Sequence, residues 1–94
     1  MDAATDLSWV DPPGVDPVTP ATTVWLTDQP VRVPLGWGIA FFTRQRRDCL
    51  CLLSPAGELF ILFVSQDGDV RQLQGVPDDV VRGLISRHFP EAAR

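Results

Sequence analysis

The sequence predicts an α+β domain. Its expected form is an antiparallel β-meander of four to six strands, open or closed as a small barrel or sandwich, with one C-terminal amphipathic helix packed on it. Three observations predict this. The stretch Gly36–Val64 holds three apolar runs of strand length separated by two polar breaks of hairpin size. An Asp-Gly pair, a strong hairpin signal, follows that stretch at Asp67-Gly68. Beyond it, residues 77–89 carry apolar side chains in a single helical stripe.

Residues 1–21 contain Pro12, Pro13, Pro17 and Pro20, with Asp2, Asp6, Asp11 and Asp16 between them. Proline removes backbone donors and biases the preceding residue toward extended geometry. This segment is therefore expected to be an extended or disordered arm, leaving residues 22–94 as one small domain. A purely solvating leader has little use for Trp. Leu7, Trp9 and Val10 can instead lay the arm on a surface, its own or a partner's, and Trp9 is a candidate partner-binding residue.

Thr22–Thr27 is β-branched and aromatic and reads as a strand. A turn is expected at Asp28-Gln29-Pro30. A short edge strand follows at Val31–Leu35, where Pro34 is tolerated only because it lies at an edge. The three central strands are Trp37–Thr43, Cys49–Leu53 and Leu59–Val64. Side chains alternate across a strand. Trp37, Ile39 and Phe41 thus share one face opposite Ala40 and Phe42, Cys49 and Cys51 oppose Leu50 and Leu52, and Ile61 and Phe63 oppose Leu62 and Val64. Both faces are apolar in all three strands, whereas a half-solvated sheet shows polar residues at every second position. Two covers are needed. One helix supplies one of them. The other must be residues 22–35 folding back, a second copy of the chain, or another protein.

After the Asp-Gly turn, Asp69–Gln74 alternates with few large apolar residues and reads as a half-exposed edge strand. The helix follows, with Val80, Val81, Leu84, Ile85, His88 and Phe89 on one stripe. Asp78 and Asp79 suit the positive end of its dipole, and Pro90 stops it. A meander closed by a C-terminal amphipathic helix is loosely similar to pleckstrin-homology-like domains. No motif accompanies that similarity.

Composition narrows the function. The formal charge of −4 disfavours nucleic acid and anionic membranes as partners. No apolar run approaches the ~18 residues of a membrane span. The N-terminal stretch has neither the basic region nor the apolar segment of a secretory signal. All eight basic residues are Arg, and the chain contains no Lys, Asn or Tyr. That pattern points to a GC-rich bacterial or viral genome and, with no export signal, to the cytoplasm of a bacterium or of a host cell. Schiff-base chemistry on Lys and phenol chemistry on Tyr are excluded.

Few residues suggest catalysis. Cys49 and Cys51 lie two apart on one strand, too poorly oriented for a disulfide without buckling, and read as small core residues. His88 is the chain's one His, so a zinc site of about four His and Cys ligands cannot be built. Asp67 and Asp69 are explained by turn geometry and Asp78 and Asp79 by the helix start. No phosphate-binding, dinucleotide-binding, zinc-protease or EF-hand pattern is present. No catalytic, cofactor or metal site is expected.

Arg44, Arg46 and Arg47 stand out, crowded into one expected hairpin tip of an acidic chain. Guanidinium forks bind carboxylates and phosphates through paired donors. The leading expectation is a non-enzymatic protein–protein interaction module, such as a small accessory subunit, inhibitor or adaptor. Arg44, Arg46, Arg47, Trp9 and Trp37 would be its contact residues, and another protein or a second copy its partner. The alternative is a nucleic-acid-associated regulator using the same tip, weakened by the lack of interleaved aromatics. A weaker third is a ligand binder or enzyme with a pocket between helix and sheet.

Overall fold

The computed structural model describes Ser8–Val10 and residues 20–92. The described elements are β1 (Ser8–Val10), β2 (Ala21–Leu26), β3 (Gln29–Pro34), β4 (Gly38–Arg44), β5 (Arg47–Leu53), β6 (Leu59–Val64), β7 (Val70–Gln74) and α1 (Asp78–His88). Strands β4 to β7 form an antiparallel meander, and β1 adds to its far edge, giving the order β1-β7-β6-β5-β4. Strands β2 and β3 form a separate two-stranded hairpin. The result is the expected α+β meander with its C-terminal helix. It does not close into a barrel.

The two apolar faces have two covers. Leu50 and Leu52 of β5 and Leu62 of β6 pack with Leu26, Val31 and Val33 of the hairpin. Cys51, Ile61 and Leu73 form a second cluster, against which Ala40, Phe42, Leu84 and Phe89 pack. The layers are hairpin, sheet and helix. Residues 22–35 therefore do fold back over the second sheet face. The hairpin side holds the deeper core: Leu26, Val33 and Leu50 are all 0% exposed. No residue of α1 is fully buried. A single helix at the flank of a sheet keeps its stripe half-buried, and Val80 at its start is exposed.

Two turns share one design. In the β5–β6 connection the Glu58 amide donates to Ser54 Oγ (3.0 Å), and in the β6–β7 connection the Asp69 amide donates to Ser65 Oγ (3.3 Å). In each, the glycine before that residue, Gly57 (φ 89°) or Gly68 (φ 88°), takes the left-handed conformation. A serine hydroxyl thus satisfies an amide that the tight loop leaves free.

Two expectations shift. The first hairpin turns at Thr27-Asp28, with Thr27 at φ 58°, and Pro30 enters β3 opposite Trp25. A proline is admitted there because the hairpin is two edges and has no interior strand. β7 is not an edge strand: Ser8, Trp9 and Val10 of β1 pair with Gln74, Leu73 and Gln72, and Gln72 and Leu73 are buried. The arm thus lends a strand to the sheet through Ser8–Val10, while residues 1–7 and 11–19, including Leu7, lie outside the described residues. Trp25, in β2, is 61% exposed.

Candidate functional site

The arginine tip is tighter than the expected five-residue break. Arg44 and Arg47 pair across β4 and β5, leaving only Gln45-Arg46 as the loop. Both loop residues have positive φ, 52° at Gln45 and 65° at Arg46. A two-residue hairpin of this kind favours Asn-Gly, since other L-residues pay about 1–2 kcal/mol each for the left-handed conformation. Arg44 and Arg47 also sit directly opposite each other, an arrangement that is unfavourable for like charges. Local backbone preference and charge repulsion both oppose this tip as written.

The surrounding residues shape the charge. Pairing and strand alternation place Arg44 and Arg47 on the helix side of the sheet, beyond the part that α1 covers. The Arg47 guanidinium lies over the Phe63 ring, 5.4 Å from its centroid, so its stem shields a core aromatic while its head stays in water. Register places Arg71 on the other side of Phe63. Arg71 also meets Asp69 at 3.4 Å. The basic surface therefore includes Arg71, which sequence reading did not group with the tip. The available signal was the strand alternation that places Arg71 on the same face as Leu73; the strand pairing was needed to bring it beside Phe63.

Beside the tip runs the outer edge of β4, which pairs with no other strand among the described residues. Ile39 (38% exposed) and Phe41 (54%) point to the hairpin side, but the hairpin stands over β5 and β6 and leaves them in water. Trp37 is half-buried and stacks on Phe60 at 5.4 Å, with 22° between the rings. It is largely committed to the core beneath the hairpin. Trp9 lies in β1 opposite Leu73, at the other edge of the sheet from the tip.

The helix packs on the face that carries the cysteines, yet no catalytic pair forms. Cys49 donates weakly to the Arg47 carbonyl (3.7 Å), and Cys51 is enclosed by apolar neighbours. Both are free thiols. Burial pushes the Cys51 thiol up to about 12, with the neighbouring Cys49 adding to the rise. Burial likewise raises Cys49, and its contacts with Arg44 offset part of that rise. Neither is a ready nucleophile at neutral pH. His88 is tilted against Phe42 (5.5 Å), and its Nε2 is buried without a hydrogen-bond partner. Among the described residues no group of three or more His, Cys, Asp or Glu could hold a metal ion, and no helix is long and apolar enough to cross a membrane.

No protein-family model, curated protein or solved structure matches this chain.

Proposed function

We propose that the chain is a non-enzymatic protein-interaction module that grips an acidic segment of a partner protein through Arg44, Arg46 and Arg47. One observation carries the reading: consecutive non-glycine residues hold left-handed conformations at a tip where two arginines already face each other. Backbone strain and like-charge pairing of this kind persist where a surface is used. A carboxylate-bearing partner relieves the repulsion and meets the guanidinium forks with paired hydrogen bonds. Electrostatic attraction to such a segment acts mainly on the association rate.

The nucleic-acid alternative lacks an exposed stacking ring on the face of the arginines: Phe63 lies buried beneath Arg47, and the exposed Phe41 is on the opposite face of the sheet. Two probes separate the readings: a fluorescent Asp/Glu-rich peptide and a single-stranded oligonucleotide of equal charge. The peptide is expected to bind, and a triple Arg44→Ala, Arg46→Ala, Arg47→Ala variant is expected to fold but to associate with it at least tenfold more slowly at low salt. Preference for the oligonucleotide would transfer the tip to the nucleic-acid reading. Identical kinetics for wild type and variant would leave it an ordinary turn.

A conservative relief of the strain gives the opposite signs for stability and binding. Replacing Gln45-Arg46 by Asn-Gly supplies residues suited to positive φ at both loop positions. Thermal melts should show a gain of about 1 kcal/mol, while peptide affinity falls because Arg46 is lost.

A further inference from the structure

We propose that β4 is a dimerisation strand, pairing antiparallel with β4 of a second copy about a two-fold axis at Phe41. Among the described residues the sheet has two edges: β1, which offers three residues, and β4, which offers seven and is the longer unpaired strand. Because Arg44 and Arg47 close a two-residue loop, they form a hydrogen-bonded pair, and such pairs alternate along the ladder. The amides and carbonyls of Gly38, Ala40, Phe42 and Arg44 are thereby turned toward β5. Those of Ile39, Phe41 and Thr43 are turned outward. A register centred on Phe41 uses all three outward residues: Phe41 meets its own copy, and Ile39 meets Thr43 of the second copy. Registers centred on Ala40 or Phe42 would leave one of the three unpaired.

The side chains suit the same register. On the hairpin side, the exposed Phe41 rings come together at the axis with Ile39 beside them, removing from water an apolar row that the hairpin does not reach. On the helix side, Ala40 faces Phe42 of the second copy, small against large. At each end Gly38 faces Arg44 of the second copy. A side-chain carbon at Gly38 would lie 2.8 Å from the Phe89 ring, so that ring covers the Gly38 end of β4. Exposed Glu91 follows two residues later, in the turn closed by the Ala92 amide donating to the Phe89 carbonyl (3.0 Å). Arg44 of the second copy therefore arrives at an aromatic ring and a carboxylate, a complementary end contact formed twice by symmetry. The second copy supplies both the missing strand and the opposite charge, which selects it over an unrelated extended peptide.

The pairing shares Arg44 with the tip proposed to bind an acidic partner, whereas Arg46 lies in the loop outside the paired strand and separates the two functions. Sedimentation equilibrium of the full chain is expected to show a concentration-dependent dimer. Thr43→Pro removes one outward amide and leaves the bonds to β5 intact, so it should abolish the dimer while preserving a cooperative melt. Phe41→Asp should do the same by placing like charges at the axis. Arg44→Glu and Glu91→Arg should each weaken the dimer several-fold, and the double exchange should restore it. Arg46→Ala should leave it unchanged and affect only acidic-peptide binding. A chain that is monomeric at every concentration overturns the proposal. A dimer indifferent to Thr43→Pro and Phe41→Asp overturns it equally, by placing the interface elsewhere.

Discussion

Leu26→Ala is expected to lower the stability of the domain by about 2–5 kcal/mol, as for other fully buried leucines cut back to a methyl. Leu26 is 0% exposed at the end of β2 and belongs to the cluster that joins the hairpin to Leu50, Leu52 and Leu62. The loss is a large part of the ~5–15 kcal/mol that a small domain typically holds. It should also expose apolar surface, because a loosened hairpin uncovers the centre of the sheet. Urea melts and hydrophobic-dye fluorescence measure the two effects. Leu84→Ala on the helix is the internal comparison. Leu84 packs on the other cluster but is only half-buried, so its loss should be smaller. Equal losses at the two positions would show that hairpin and helix contribute alike, contrary to their burial.

Alkaline pH is expected to destabilise the fold through the two thiols. The folded chain holds Cys51 at about 12 and Cys49 above its ordinary 9.0, in both cases chiefly because burial disfavours the thiolate. The neutral thiols therefore stabilise the folded state fully below pH 9. That contribution is lost as pH rises from 9 toward about 12, since the unfolded chain ionises first. The slope is about 1.4 kcal/mol per pH unit for a single thiol inside its window. The chain has no Lys and no Tyr, the side chains that ordinarily titrate in this range, while Arg stays protonated through it. Urea melts across this range should show falling stability in the wild type and a flatter dependence in a Cys49→Ala, Cys51→Ala variant. A wild-type curve as flat as the variant's would show that the thiols are not held neutral by the fold.

Much of the architecture was legible because its signals are local. The three central strands follow from run length and alternation, and the Asp67-Gly68 turn and the Pro77 helix start lie where turn and helix chemistry put them. The boundaries of the arginine hairpin were not legible. Nothing in Gln45-Arg46 signals a two-residue turn with positive φ, so local pattern ends the strands at Thr43 and Cys49 and leaves the arginines in a loop. The exposure of Phe41 was equally hidden. Its apolar neighbours on both sides read as core, and only the position of β4 at the rim of the sheet leaves it in water.

Local pattern is enough to require covers on both sheet faces, because apolar residues occupy successive positions in all three central strands and alternation sends them both ways. The chain's cations are all guanidiniums, three of them within four residues of one another. Packing between distant segments sets which cover goes where: the hairpin over Leu50, Leu52 and Leu62, and the helix over Cys51 and Ile61. It also puts β1 and β4 at the two edges of the sheet among the described residues, and brings Arg71 to the basic end beside Phe63. The physical reason is that alternation and turn chemistry act between neighbours in the chain. Strand order, edge position and layer stacking depend on contacts between segments far apart in it, and no local pattern encodes those singly.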